Sequence, residues 1–224
     1  MTNVPQLRLQ RPLPTTWLGP KPILGLMGGI GAGKSAIAKS LEALGGATIN
    51  SDRDAHAVLN SPDIQAQITA RWGAEVVTPA GTTNRHAIAQ RVFQNPTELA
   101  WLNSLIHPRV AALRTTAMAT LAQSSAVRYI IWDTPLLLEN QLHTQCDILI
   151  FIACPLAQRL ARVQASRGWS AVDLASRQAQ QTPLATKEDV AHIIIDNSGT
   201  PAQTTSQIAA LVALLPATTK RKSQ

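Results

Sequence analysis

The sequence predicts an α/β fold in which a parallel five-stranded sheet is flanked by helices and interrupted by one helical insertion. Short apolar runs alternate with amphipathic helical patterns, which is typical of such layered folds. Two runs, Tyr129–Trp132 and Asp147–Ala153, are almost continuously apolar, as expected of parallel strands buried on both faces. Before them, residues 52–125 have an almost wholly helical pattern, which indicates an insertion into the sheet-forming part.

The first elements surround a glycine-rich turn. Ile23–Met27 predicts a strand that leads into this turn, and Lys34–Leu44 predicts a helix that ends at Gly45. Ala47–Ile49 predicts the second strand. The turn therefore lies between a strand and a helix.

The helical insertion, about residues 52–126, is expected to form a separate lobe. We expect its helices to break at Pro62, in the turn at 78–84, at Pro96 and at His107-Pro108, because proline and turn residues interrupt helical hydrogen bonding.

The later elements complete the sheet. After the third and fourth strands, Pro155–Ala165 predicts a helix opened by proline, Ile193–Ile195 a fifth strand, and Pro201–Leu215 a closing helix. We therefore expect one domain over residues 22–216, with its core in residues 22–51, 127–165 and 192–216.

The formal charge of +7 is concentrated at the two ends of the chain. Residues 1–21 and 216–224 each carry three basic residues and no acidic residue, which leaves 14 basic against 13 acidic residues elsewhere. Nucleic-acid-binding domains carry positive charge as a patch on the fold, so no nucleic-acid partner is expected. We expect residues 1–21 and 217–224 to be disordered basic tails.

Several protein classes are excluded by composition. No apolar run is long enough to span a bilayer, and the N-terminal stretch lacks the apolar core of a signal peptide. The two cysteines, Cys146 and Cys154, have no metal-binding spacing, which favours a reducing compartment. We expect a cytoplasmic protein without a membrane partner; the sequence leaves its oligomeric state open.

The glycine-rich turn carries the strongest functional signal. Residues 28–35 match GxxxxGK[ST], the P-loop in which backbone N–H groups and a helix N-terminus hold nucleotide phosphates. Lys34 is expected to reach the β- and γ-phosphates, and the Ser35 hydroxyl to bind Mg²⁺. The predicted phosphate-binding residues are Gly28, Gly29, Ile30, Gly31, Ala32, Gly33, Lys34, Ser35 and Ala36.

Three further polar positions have two interpretations each. Asp52 follows the second strand and could accept a proton from an attacking hydroxyl, or could simply cap a helix. Asp133 ends the third strand and could be a magnesium-site aspartate or a solvated strand end. His107 could be functional or mark a helix break.

Taken together, the motifs resemble the dephospho-coenzyme A kinases, a family of P-loop kinases with a nucleotide-kinase-like fold. The resemblance runs from Ile23 to about Thr200. Besides the P-loop, it comprises these segments: Ile49–Asp52 with Ala55-His56, Trp101–Asn103, His107-Pro108, Pro135–Glu139, Arg177 with Gln181, Pro183-Leu184, Lys187, and Ile195–Thr200.

The resemblance implies ATP-dependent phosphorylation of the 3′-hydroxyl of dephospho-coenzyme A, the last step of coenzyme A biosynthesis. It implies a helical lobe for the coenzyme A moiety and a mobile lid over about residues 166–191. Asp52 would be the catalytic base, aided by Lys34, by Arg162 shortly before the lid and by Arg167 within it. The site residues implied beyond the P-loop are catalytic Arg162 and Arg167, nucleotide-binding Arg177 and Asn197, and acceptor-binding Asp52, His107 and Glu139.

Several residues depart from the family pattern. Met27 replaces a usual threonine, Asn50 replaces the first aspartate of a pair, and Ser166 aligns with a usual lid arginine. These changes keep two alternatives open: a nucleotide-binding regulatory homologue with weak activity, or a P-loop kinase for another small alcohol or nucleoside. Since Lys34, Ser35 and Asp52 are retained, the kinase for dephospho-coenzyme A is the favoured hypothesis.

Overall fold

The computed structural model describes residues 7–93 and 95–215. These described residues fall into two compact units: one contains those up to Ile49 and from Thr120 onward, and the other contains those within Asn50–Ala119. None of the helices in the described part of the chain combines the length and apolar character that a membrane span needs.

The first unit is built on a six-stranded sheet. Its order is β1-β6-β5-β2-β4-β3, and the recorded β2–β4, β2–β5 and β5–β6 pairs are parallel. The predicted α/β class is confirmed, and the five predicted strands are all present. The strands are β1 (Arg8–Leu9), β2 (Ile23–Gly28), β3 (Gly46–Asn50), β4 (Tyr129–Asp133), β5 (Ile148–Ala153) and β6 (Ile193–Asp196).

The sixth strand corrects the prediction of a disordered N-terminal tail. In β1, Arg8 and Leu9 pair antiparallel with Ile194 and Ile193 at the edge of the sheet. Further along, Trp17 is only 2% exposed and belongs to the same core as the sheet. The prediction is therefore wrong for residues 7–21, because backbone pairing and one large buried aromatic side chain hold them on the fold. Residues 1–6 and 217–224 lie outside the described residues.

Helices cover the sheet and extend the first unit beyond it. On one face, β5 and β6 present Ile150, Ile152, Ile193 and Ile195 to a core shared with the first and last helices. The helices of this unit are α1 (Lys34–Glu42), α6 (Leu156–Arg167), α7 (Ala171–Ala179), α8 (Leu184–Asp189) and α9 (Pro201–Leu214), with a 3₁₀ turn at Leu142–Gln145.

The second unit is helical and has its own core. Ile64, Ile68 and Val76 are fully buried in it, and Trp72 packs edge-on against Trp101 with ring centroids 5.1 Å apart. Its elements are α2 (Ser51–Leu59), α3 (Pro62–Trp72), a 3₁₀ turn (Ala74–Val76), α4 (Arg85–Val92) and most of α5 (Pro96–Gln123).

The predicted helix break at His107-Pro108 is wrong. Helix α5 continues through Pro108 for 28 residues in all. Buried Leu102 and Val110 lie on either side of the proline and anchor both halves. Beside the proline, which has no N–H to donate to the Ser104 carbonyl, the Arg109 guanidinium donates a 3.0 Å hydrogen bond to the neighbouring Leu105 carbonyl.

Candidate active site

The P-loop lies between β2 and α1, as the motif requires. Its backbone passes through conformations that favour glycine: Gly31 has φ 80° and Gly33, the residue before α1, has φ 97°. A Cβ on Gly31 would lie 2.7 Å from the Arg159 carbonyl oxygen, so a larger residue there would displace α6. The loop therefore leads directly into the N-terminus of α1, where backbone N–H groups favour an anion.

Lys34 and Ser35 begin α1 and contact the loop and the sheet. Lys34 Nζ donates to the Gly28 carbonyl oxygen at 3.2 Å. Ser35 Oγ donates to Asp133 Oδ2, also at 3.2 Å. Asp133 is 6% exposed, ends β4 and pairs in register with Leu26 of the neighbouring β2. A hydroxyl and a carboxylate oxygen are the ligand types that Mg²⁺ prefers, so Ser35 and Asp133 fit a magnesium ion shared with nucleotide phosphates.

Arg162 and Asn197 both donate hydrogen bonds to the P-loop, and their predicted roles in catalysis and nucleotide binding stay predictions. Arg162 Nη1 donates to the Gly31 and Ala32 carbonyl oxygens at 3.3 and 3.2 Å, and Nη2 donates to the Asn197 carbonyl at 3.2 Å. Asn197 Nδ2 donates to the Ala32 carbonyl at 2.8 Å. Arg162 of α6 and Asn197 of the loop after β6 therefore both contact the Ala32 carbonyl in the P-loop.

Two residues that the sequence analysis did not name also contact the P-loop. Arg159 is 6% exposed, and Gln178 of α7 accepts a hydrogen bond from the Ile30 backbone N–H at 3.1 Å. A helical-position argument could have found both. Arg159 is four residues before buried Val163, and Gln178 is four residues after buried Leu174, so each lies on the inward stripe of its helix.

Glu139 is held by the segment around α8. Its Oε1 pairs with Lys187 Nζ at 3.0 Å and accepts a hydrogen bond from the Thr182 N–H at 2.7 Å. Burial alone would raise the pKa of Glu139, but hydrogen bonds from its own N–H and from Thr182, together with the Lys187 ammonium, outweigh burial and lower it. Within the described residues, Glu139 Oε2 is buried without a hydrogen-bond partner.

Arg167 and Arg177, two predicted phosphate ligands, lie on an aromatic ring. Their guanidinium carbons are 4.7 and 4.3 Å from the ring centroid of Trp169. These distances are within the range of cation–π contacts. The structure thus places both arginines against Trp169, whereas Arg162 donates hydrogen bonds to P-loop carbonyl oxygens.

Asp52 and His107 belong to the Asn50–Ala119 unit, and both are exposed. Asp52 lies in the first turn of α2, but the N-cap of that helix is Asn50, whose side chain accepts from the Arg53 N–H at 2.9 Å. The interpretation of Asp52 as the cap is therefore wrong. His107 lies within α5.

Comparison with known proteins bears on the function of this loop. Residues 22–203 match the family described as CoaE: Dephospho-CoA kinase. The chain belongs to the dephospho-CoA kinase family. The predicted resemblance is confirmed, and the match includes the whole P-loop. Residues 7–21, which contribute β1 and Trp17, precede the matched region.

Individual relatives agree with this family. The chain is 38% identical over 188 residues to a dephospho-CoA kinase of Thermobifida fusca, covering 83% of this chain and 92% of the relative. It is 36% identical over 195 residues to one from Syntrophotalea carbinolica, covering 86% and 92%.

Solved structures agree with the fold. The crystal structure of TT1252 from Thermus thermophilus superposes with a TM-score of 0.74 at 27% identity, covering 88% of this chain and 99% of that one. A dephospho-CoA kinase from Campylobacter jejuni gives a TM-score of 0.62 at 20% identity, covering 86% and 96%, and supports the fold alone.

Proposed function

We propose that the chain transfers the γ-phosphoryl group of ATP to the 3′-hydroxyl of dephospho-CoA, which yields CoA and ADP. The observation that carries this proposal is a complete P-loop, correctly placed between β2 and α1, within the 182-residue region (22–203) matched to the dephospho-CoA kinase family. In the reaction, the 3′-oxygen forms a bond to the γ-phosphorus while the bond to the β–γ bridging oxygen breaks, and the hydroxyl proton is lost.

The donor side of the reaction is assigned to the P-loop and α6. Backbone N–H groups of residues 28–35 and the N-terminus of α1 hold the phosphates. Lys34, which donates to Gly28 in this structure, exchanges that carbonyl for phosphate oxygens. Arg162 and Asn197 hold the loop from outside, and Arg162 is also available for phosphate oxygens since it is exposed.

Mg²⁺ is proposed as the metal cofactor, held by Ser35 and Asp133. When bound, the ion neutralises charge that develops on the phosphate oxygens. The support from this chain is the 3.2 Å Ser35–Asp133 contact at the end of β4.

The acceptor side is assigned from the family resemblance. Asp52 is proposed to take the proton of the 3′-hydroxyl, and His107 and Glu139 to help position the acceptor. One oxygen of Glu139, Oε1, already pairs with Lys187 and accepts a hydrogen bond from the Thr182 N–H. Glu139 is therefore also proposed to hold the segment before α8 in place. Arg167 and Arg177 are proposed to leave Trp169 and to bind the transferring phosphoryl group. A cytoplasmic location stays a prediction from the sequence.

The experiment that tests the function is a coupled assay for ADP release, with ATP, Mg²⁺ and dephospho-CoA. We expect release that depends on dephospho-CoA, and a product that carries the new phosphate on the 3′-oxygen. Release only with a nucleoside or another alcohol would favour a different P-loop kinase, and ATP binding without turnover would favour a regulatory protein.

Lys34→Ala is the control for this assay. Lys34 acts mainly on charge that develops in the transition state, so its removal should lower kcat by more than about 10²-fold while ATP binding weakens less. Wild-type turnover in this variant would contradict the P-loop assignment.

A further inference from the structure

Gln178 of α7 makes a direct contact between the lid region and the P-loop. Its Oε1 accepts hydrogen bonds from the Ile30 backbone N–H at 3.1 Å and from Arg159 Nη1 at 3.2 Å. One neutral amide oxygen is therefore held by a P-loop N–H and a guanidinium group. This is the pair of donor types that P-loop proteins use to hold a phosphate oxygen.

Arg159 is a buried cation with neutral hydrogen-bond partners. Besides Gln178, its guanidinium donates to the carbonyl oxygens of Cys154 at 3.2 Å and Ile30 at 3.4 Å. The ion pairs recorded among residues 7–93 and 95–215 include no carboxylate for Arg159. Burial also lowers the pKa of Arg159, which reflects the cost of desolvating its charged form. An anion at this position would gain a charge-assisted hydrogen bond that the Gln178 amide cannot match.

The contact of Gln178 continues into the rest of the lid region. Gln178 Nε2 lies 3.5 Å from Gln181 Oε1, which accepts a 3.1 Å hydrogen bond from Lys187 Nζ. Lys187 in turn pairs with Glu139. Movement of Gln178 away from Ile30 would thus act on a chain of polar contacts that runs through Lys187 of α8 to Glu139.

We propose that Gln178 competes with a phosphate oxygen of the nucleotide for Ile30 N–H and Arg159, so that nucleotide binding displaces α7 from the P-loop. The inference rests on the proposed function only in assuming that the P-loop binds ATP. Gln178 is then a lid residue whose contact with the P-loop lowers the affinity of the free enzyme for ATP. Because nucleotide binding breaks this contact, it couples occupancy of the P-loop to movement of the lid. No residue in this role is required by the P-loop motif itself.

Calorimetric titration of the full chain with the nonhydrolysable ATP analogue AMP-PNP and Mg²⁺ tests this inference. Gln178→Ala removes the competing acceptor, so the Kd should fall by about three- to tenfold. Gln178→Glu places a charged acceptor against Arg159, so the Kd should rise by about tenfold or more. Gln180→Glu is the matched control, since Gln180 is an exposed glutamine two residues away in the same segment, and its Kd should stay near that of the wild type.

The opposite response would overturn the inference. If Gln178 supports the occupied P-loop, Gln178→Ala binds AMP-PNP more weakly, and if Gln178 is only structural, the Kd is unchanged while the melting temperature falls. Wild-type chain that binds no AMP-PNP would instead contradict the proposed function. Amide exchange of Ala171–Ala179 gives a second readout: in the nucleotide-free state it should be faster in Gln178→Ala than in the wild type.

Discussion

Asn50 and Asp52 occupy different positions at the start of α2. Asn50 is the N-cap, and its side-chain oxygen accepts a hydrogen bond from the Arg53 N–H. Asp52, in contrast, lies in the first helical turn. The departure of Asn50 from the family's usual aspartate therefore has a local structural explanation, because asparagine caps helices as well as aspartate does. Asp52 does not have this role, which makes its proposed role as a base easier to test.

Asp52→Asn should lower kcat by about 10²- to 10⁴-fold, with a smaller effect on the KM for ATP. An amide cannot accept the proton of the 3′-hydroxyl at neutral pH. Loss of an acidic group from the first turn should cost only about 0.3–1 kcal/mol of helix stabilisation. Steady-state kinetics and chemical denaturation measure the two effects separately.

Asp54→Asn is the control for this variant, because Asp54 is in the same turn and has Arg53 as its ion-pair partner, at 3.9 Å. It should keep near-normal kcat. A folded Asp52→Asn protein with near-normal kcat would contradict the catalytic role of Asp52.

Asp133→Asn tests the proposed magnesium site. Asparagine can still accept the Ser35 hydrogen bond, so the sheet should remain folded, but the carboxylate charge is lost. The Mg²⁺ concentration that gives half-maximal activity should rise about 10- to 100-fold, and activity should recover partly at high Mg²⁺. An unchanged Mg²⁺ dependence would limit Asp133 to a structural role.

At the scale of elements, α6, α7 and α8 connect the P-loop to the arginines of the proposed lid. Arg167, at the end of α6, and Arg177, near the end of α7, both stack on Trp169 between the two helices. Helix α7 begins with a capping box at Ser170 and Asp173, so it is well defined before any nucleotide binds. We therefore expect the lid to move as folded helices.

Amide hydrogen exchange between Ser166 and Ala191 should slow when AMP-PNP and dephospho-CoA are both bound. Arginines that leave Trp169 for phosphate oxygens gain charge-assisted hydrogen bonds, and those bonds should restrain the helices that carry them. Mass spectrometry of exchanged peptides measures this effect, with peptides from the buried strand β5 as the internal reference. Equal exchange in the free and saturated protein would argue against a closing lid.

At the scale of the whole molecule, residues 7–21 are part of the sheet-containing unit. The Asp147 carboxylate accepts from the backbone N–H groups of Leu18 at 2.7 Å and Ile23 at 2.8 Å, which ties this segment to β2 and β5. At the other end, Arg8 pairs with Glu188 at 2.5 Å and Arg11 donates to the Asp189 carbonyl at 2.6 Å. The segment thus covers the edge of β6, where an unpaired strand would otherwise be exposed.

Trp17→Ala should lower the free energy of unfolding by about 3–5 kcal/mol, because it leaves a cavity in the main core. The matched control is Leu18→Ala, since Leu18 is 57% exposed and should change stability by less than about 0.5 kcal/mol. Urea denaturation gives both values. Equal stability of the two variants would show that residues 7–21 contribute little to the fold.

The sequence by itself determined the α/β class, the five main strands, the P-loop and the family. These features are written in contiguous patterns: apolar runs for strands, helical spacing for helices, and eight successive residues for the phosphate loop. Arg162 and Asn197 followed from the family resemblance; both donate to a P-loop carbonyl oxygen, and their roles stay predictions. Asp52, His107, Arg167 and Arg177 stay predictions in their proposed roles.

Only the tertiary structure decided the role of Trp17, the Ser35–Asp133 contact and the position of Gln178. Gln178 and Ile30 are 148 residues apart in the chain, and Asp133 and Ser35 are 98 apart. The P-loop motif identifies Ile30 and Ser35, but no local pattern shows that Gln178 contacts Ile30 or that Asp133 contacts Ser35. Both contacts depend on burial. Packing brings polar groups that are distant in the chain together, in places where a donor or acceptor without a partner would cost stability.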